Sequence, residues 1–101
     1  MLFREEHIRM ILSGQKTMTR RVGRLHNLGR TRIQRSWYDW TDVEIEILKR
    51  YPQKLGEISP GDVRKEGYAS LEEFKAARIK IHGRWNPDLE VWVYEFRLVK
   101  K

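Results

Sequence analysis

The chain has 101 residues, of which 21 are lysine or arginine and 14 are aspartate or glutamate, so its net charge at pH 7 is +7. It contains no cysteine, which excludes disulfide bonds, thiolate metal sites and cysteine nucleophiles. The length predicts a single domain over residues 1–101, and the excess of positive charge favours a polyanionic partner.

The sequence shows neither a membrane-spanning pattern nor a metal-binding pattern. No apolar run approaches the roughly 18 residues that a membrane-spanning helix needs, and the charged start MLFREEHIRM is untypical of a signal peptide. His7, His26 and His82 share no spacing typical of metal ligands. We therefore expect a cytoplasmic protein without a metal or a cofactor, and the sequence leaves the oligomeric state open.

The N-terminal part predicts a helix followed by a strand. Residues 4–13 place Ile8 and Ile11 on one helical face, and Gly14 suits the left-handed position that closes a helix. The next segment, KTMTRRV, alternates two threonines with bulkier side chains, which is a strand pattern. A lysine in this position is by default a solvated residue behind a helix end.

The middle of the chain carries a basic stretch followed by aromatic residues. Between residues 20 and 35 there are six arginines and no acidic residue. The arginines are Arg20, Arg21, Arg24, Arg30, Arg32 and Arg35. Guanidinium groups bind phosphates, and rings such as Trp37 and Tyr38 stack on bases, so the segment resembles a nucleic-acid-binding face. The alternative is a solvated basic hairpin whose aromatic residues pack inward.

The remaining elements follow from periodicity and capping signals. Strands are predicted over residues 30–37 and 43–51, and a long strand over residues 91–99. Between them, Ser59 and Pro60 start one predicted helix, and a capping box from Ser70 to Glu73 starts a second. This order predicts an α+β fold built around a small, partly closed β-barrel.

Three segments resemble the ASCH domain, a member of the PUA-like superfamily. They are ILSGQKTMTRR, ISPGDVRKEGYASLEEF, and W-x-P-D followed by VWVYEFRLV. The resemblance implies a small PUA-like β-barrel with an N-terminal helix and two helices inserted before the last strand. It also implies a cleft that binds RNA or a modified nucleoside. Members of the family include RNA-binding modules, a ribonuclease, and a small amidohydrolase that deacetylates acetylcytidine.

The amidohydrolase branch implies three catalytic positions in this chain. Its motif lysine and second threonine fall on Lys16 and Thr19, and its acid falls on Glu66 in RKEGY. A desolvated lysine can take the proton of a threonine nucleophile, while the carboxylate orients the lysine or relays the proton. Residues three apart face opposite ways on a flat strand, so this chemistry needs an irregular backbone near Thr17.

Arg21 matches the arginine of the K-T-x-T-x-R motif, which implies a contact to a phosphate or a base carbonyl. The alternative for this residue is a salt bridge to a carboxylate. For the whole domain, binding of RNA or a modified nucleoside is the first hypothesis, and amide hydrolysis is the second. A protein-interaction adaptor that uses an exposed sheet edge is a third hypothesis.

Overall fold

The computed structural model describes residues 1–100 and has the predicted order of elements. The elements are α1 Glu5–Leu12, β1 Met18–Arg21, β2 Gly29–Ser36, β3 Asp39–Lys54, a 3-10 helix Leu55–Glu57, α2 Pro60–Lys65, α3 Leu71–His82 and β4 Glu90–Lys100. The predicted α+β fold is therefore confirmed, with one helix before the sheet and two α-helices before the last strand.

The helices begin and end at the capping residues that the sequence indicates. The Ser59 hydroxyl accepts a hydrogen bond from the backbone amide three residues later at 3.1 Å. At the start of α3, the Ser70 hydroxyl accepts one from the Glu73 amide at 3.2 Å. The Glu73 carboxylate completes this cap by accepting from the Ala69 amide rather than from Ser70. Gly83 ends α3 in the left-handed region, at φ +86°.

The four strands form one antiparallel sheet in the order β1-β4-β3-β2. Strands β2 and β3 form a hairpin, while β4 lies between β1 and β3. The N-terminal segment extends the β2 edge, because Leu2 makes a parallel bridge to Gln34. Arg21 of β1 in turn donates a hydrogen bond to the Leu2 carbonyl. Within residues 1–100 the sheet does not close into a barrel. The Arg21–Leu2 hydrogen bond, and not backbone pairing between strands, links the β1 edge to the β2 edge.

The hydrophobic core consists of two clusters that share β4. The first cluster packs α1 and the hairpin against Tyr94 and Phe96. The second packs α2 and α3 against Val91 and Val93. Successive side chains of a strand point to opposite faces, so β4 is covered on both sides. This arrangement leaves polar side chains of β1 beside the helices, where the candidate site lies.

Candidate functional site

A cavity of about 550 Å³ opens between the N-terminal segment, β1 and α3. Its lining is strongly basic, since six cationic side chains and one carboxylate, Glu66, face it in the part of the chain that the structure describes. The cationic residues are Arg4, Lys16, Arg20, Arg21, Arg24 and Arg78. Four aromatic side chains complete much of the wall, namely Phe3, Trp37, Tyr68 and Phe74. The cavity therefore combines positive charge with rings.

Lys16 reaches this cavity because the backbone around it is irregular, which is what the amidohydrolase hypothesis requires near Thr17. Strand β1 begins only at Met18, and the preceding residues bond to neighbours on both sides. The Lys16 amide donates to the Met10 carbonyl at 3.0 Å, and the Thr17 amide donates to the Lys65 carbonyl at 2.8 Å. These two hydrogen bonds hold Lys16 and Thr17 between the end of α1 and the end of α2.

A glycine makes this close approach possible. Gly67 follows α2 with φ +106°, a conformation that other residues rarely adopt. A Cβ atom at this position would lie 2.7 Å from the sulfur of Met10, so a larger residue would displace the Met10 side chain. Gln15 secures the same junction by donating to the Gly67 carbonyl at 2.9 Å. The residue that follows α2 therefore lies at the junction beside Lys16.

The Lys16 ammonium is buried against Glu66. Its Nζ atom donates to the Glu66 backbone oxygen at 3.0 Å and to the carboxylate Oε1 at 3.1 Å. Burial lowers the pKa of Lys16 from its ordinary value, and the neighbouring Glu66 opposes this shift only in part. The default interpretation of Lys16 as a solvated lysine is therefore wrong, and Glu66 is buried as well.

Arg20 differs from the sequence-based expectation of an exposed phosphate contact. Its side chain is buried and bonds to Glu66 Oε2 at 2.8 Å, Asp62 at 3.0 Å and Gln53 at 2.9 Å. The physical reason is strand alternation, which turns Arg20 toward α2 and its carboxylates. Glu66 therefore bridges two buried cations, one through each carboxylate oxygen.

Thr19 lines the same cavity as Lys16 and is buried opposite Tyr94 in the β1–β4 ladder. Among the hydrogen bonds of residues 1–100, none joins its hydroxyl to Lys16 or to another side chain. The structure thus brings Lys16 into contact with Glu66 and places Thr19 in the same cavity without a direct bond to either.

Arg21 and Arg78 are cavity residues without a carboxylate partner among the described ion pairs. Arg21 lies with its guanidinium 4.5 Å from the Phe3 ring centroid, and burial lowers its pKa to about 10, so it stays charged at neutral pH. The predicted alternative of a salt bridge is therefore wrong for this residue. Arg78 donates through Nη1 to the Arg20 carbonyl at 3.2 Å. The Nε atoms of both arginines are buried and have no hydrogen-bond partner.

The other basic residues of the predicted face lie outside the cavity, apart from Arg24. On the hairpin, Arg30, Arg32 and Arg35 are exposed, but each lies beside carboxylates from another element. Their ion pairs are Arg30–Glu44 at 3.8 Å, Arg32–Asp42 at 3.8 Å, Arg35–Glu5 at 2.8 Å and Arg35–Asp39 at 3.6 Å. The predicted acid-free basic face is therefore wrong, because antiparallel pairing brings the acids of β3 beside the arginines of β2. Whether these arginines contact nucleic acid stays a prediction.

The aromatic residues of the hairpin do not pack inward as the alternative hypothesis proposed. Trp37 is 78% exposed and Tyr38 is 97% exposed, both at the turn between β2 and β3. Trp37 also lines the cavity, whereas Tyr38 does not. Only one of the two predicted stacking residues is thus placed at the cavity.

Sequence reasoning missed several cavity residues, among them His7, Tyr68 and Arg78. The His7 ring bonds to the Tyr68 hydroxyl at 3.0 Å, and burial followed by the charge of Lys16 lowers the His7 pKa to about 4. Arg78 stands four positions after the buried Phe74, so it shares the inward face of α3. This four-residue spacing was the sequence signal that could have indicated Arg78 as an inward-facing residue. The histidine–tyrosine pair joins distant parts of the chain and left no such signal.

Residues 1–100 contain neither a candidate metal site nor a helix that could span a membrane. No group of three or more histidine, aspartate or glutamate side chains is placed to hold a metal ion. None of the helices in that range is long and apolar enough to cross a membrane.

Structural comparison identifies the fold as that of ASCH domains, which confirms the predicted resemblance at the level of the fold. An ASCH domain from Lactobacillus crispatus matches with a TM-score of 0.78 and 17% identity, over 95% of this chain and 72% of that one. A variant of an ASCH protein from Zymomonas mobilis matches with a TM-score of 0.66 and 15% identity, over 99% of this chain and 73% of that one. A protein from Enterococcus faecalis matches with a TM-score of 0.66 and 18% identity, over 91% of this chain and 66% of that one. No protein-family model and no curated protein matches the sequence.

Proposed function

We propose that the cavity binds a nucleoside unit, either free and modified or as part of an RNA. The observation that carries this proposal is the combination of six cationic side chains with four aromatic rings around about 550 Å³. That volume lies within the roughly 300–1,000 Å³ of small-molecule sites. Rings stack on a base, and guanidinium groups bind its carbonyl oxygens or the backbone phosphates.

The cavity suits this role better than the hairpin surface does. The exposed arginines of β2 lie beside carboxylates, so the hairpin exerts little net attraction on a polyanion. In the cavity, the accessible Nη1 atom of Arg21 and Nη2 atom of Arg78 have no hydrogen-bond partner among residues 1–100. Donors of this kind are the ones a ligand oxygen can use.

Two neighbouring aromatic residues provide a matched test of this proposal. Trp37 lines the cavity and Tyr38 does not, although both belong to the same exposed turn. Calorimetric titration with acetylcytidine, the four ordinary ribonucleosides and a short single-stranded RNA should detect binding. Trp37→Ala should weaken it by the roughly 1–3 kcal/mol of one stacking contact, whereas Tyr38→Ala should not. Equal weakening by both variants would move the site to the hairpin turn, and no effect of Trp37→Ala would contradict stacking in the cavity.

The second candidate function is hydrolysis of an amide on a modified cytidine, and the geometry around Lys16 favours it. When Lys16 is neutral, its amine keeps two N–H donors and gains a lone pair. Glu66 offers two acceptors to this amine, its backbone oxygen and Oε1. The lone pair is then free to take the proton of Thr19 as its hydroxyl attacks the acetyl carbonyl. The proton then passes to the cytosine amine as the C–N bond breaks, and water hydrolyses the threonine ester to release acetate. The lowered pKa of Lys16 makes the neutral form more accessible.

Incubation of the protein with acetylcytidine, with chromatographic detection of cytidine, tests this second candidate. The rate should rise with pH as Lys16 loses its proton and should level off below the ordinary lysine pKa of 10.5. Lys16→Ala and Thr19→Ala should each reduce the rate by at least about 100-fold, the usual scale of a lost acid–base or nucleophilic group. Thr19→Ser, which keeps a hydroxyl, should retain part of it. Absence of turnover between pH 6 and 10 would leave the binding function alone.

A further inference from the structure

The buried charges around the cavity do not balance. Lys16 and Arg20 are matched by two carboxylates, those of Glu66 and Asp62. Arg21 and Arg78 line the same cavity, and the ion pairs of residues 1–100 give neither of them a carboxylate. Both remain charged at neutral pH, so the buried part of the cavity wall carries two uncompensated positive charges, in addition to the exposed Arg4 and Arg24.

These two arginines also keep unused hydrogen-bond donors. Of five N–H groups on each guanidinium, Arg21 uses one on the Leu2 carbonyl and Arg78 uses one on the Arg20 carbonyl. The Nε atom of each is shielded from solvent and bonds to nothing. The Nη1 atom of Arg21 and the Nη2 atom of Arg78 also have no partner among the hydrogen bonds of residues 1–100, and unlike the Nε atoms they are accessible, so they indicate a ligand rich in acceptor oxygens.

We propose that the ligand carries a phosphate monoester, as in a nucleoside monophosphate or a terminal nucleotide, whose charge Arg21 and Arg78 neutralise. This inference rests on the proposed nucleoside-binding function and specifies its substrate class. A phosphate monoester carries between 1.5 and 2 negative charges near pH 7, because its second pKa is about 6. It thereby matches two cations, whereas an internal phosphodiester supplies a single charge. Guanidinium groups bind such oxygens through paired N–H donors.

The test compares cytidine, uridine, adenosine and guanosine with their 5′-monophosphates by calorimetry. The wild-type protein should bind the best monophosphate at least about tenfold more tightly than its nucleoside, which corresponds to 1.4 kcal/mol. Arg21→Gln and Arg78→Gln should each bring this ratio below about threefold. Arg30→Gln, which removes an exposed arginine beside Glu44, is the control and should keep the ratio.

A second measurement uses only the wild-type protein, so its outcome does not depend on whether a variant folds. The methyl ester of the same monophosphate is similar in size but carries one charge, so it should bind about tenfold more weakly than the monophosphate at pH 7.5. This difference should shrink at pH 5, where the monoester itself gains a proton. Equal binding of nucleoside and monophosphate would overturn the phosphate inference and leave the nucleoside-binding function standing. Failure of every nucleoside and nucleotide to bind would overturn both.

Discussion

At the scale of single residues, Glu66 is the side chain on which the candidate site depends. One carboxylate oxygen bonds to Lys16 at 3.1 Å and the other bonds to Arg20 at 2.8 Å. All three side chains are buried, so each has lost its hydration and relies on the others. The same carboxylate therefore stabilises the fold and orients the lysine of the proposed chemistry.

Removing the charge of Glu66 should destabilise the domain strongly. Glu66→Gln keeps the shape of the side chain but leaves Lys16 and Arg20 without their shared counter-charge, which typically costs about 3–5 kcal/mol. Urea denaturation followed by fluorescence measures the change in the free energy of unfolding. The control is Glu46→Gln, which breaks an exposed pair with Arg97 and should cost no more than about 1 kcal/mol. A loss below 1 kcal/mol for Glu66→Gln would contradict the role given to this network.

The sequence predicted the members of this cluster only in part. Motif resemblance pointed to Lys16, Thr19 and Glu66, and the structure places Lys16 against Glu66, with Thr19 in the same cavity. The sequence did not predict that Arg20 joins them, because an arginine in a basic run is expected to be solvated unless carboxylates are known to lie beside it. Burial of an ionic side chain depends on tertiary partners that lie far along the chain.

At the scale of elements, the β2–β3 hairpin shows that charges segregated along the sequence can lie side by side in the folded structure. The arginines of β2 form an acid-free run in sequence, and the carboxylates of β3 come later. The antiparallel register then places Arg30 opposite Glu46 and Arg32 opposite Glu44. Charges that are separated in the sequence become cross-strand neighbours, which is the usual way in which sheets accommodate them.

Whether the hairpin contacts RNA can be tested separately from the cavity by removing a whole ion pair. The double variant Arg30→Gln with Glu44→Gln leaves the net charge unchanged, so it isolates any direct phosphate contact of Arg30. For a short single-stranded RNA at three salt concentrations, the slope of log K against log salt should stay as in the wild type. Arg21→Gln is the positive comparison and should reduce the slope by about 0.7, the value for one phosphate contact. A similar reduction in the double variant would place an RNA contact on the hairpin.

At the scale of the whole molecule, local patterns predicted the order of elements but not the full set of residues that line the cavity. Local signals such as Ser59, Ser70 and Gly83 determine where helices begin and end, and alternation reveals the strands. The cavity arises where the N-terminal segment, β1 and α3 meet, and these parts lie far apart in the sequence. Single-sequence patterns carry no information on which distant surfaces face each other, so the helical spacing of Arg78 shows that it faces inward but not that it meets Tyr68 in this cavity.

The central position of β4 also has a consequence for how the chain folds. Strands β2 and β3 are adjacent in sequence, so their hairpin needs only a short loop closure and can form early. Strand β1 has no strand neighbour within residues 1–100 except β4, and most of the chain separates the two. We therefore expect the wall that carries Thr19 and Arg21 to be assembled in a late step, after β4 has docked on the hairpin. In kinetic terms, we expect substitutions in the hairpin core to slow folding, whereas substitutions in β1 should mainly accelerate unfolding.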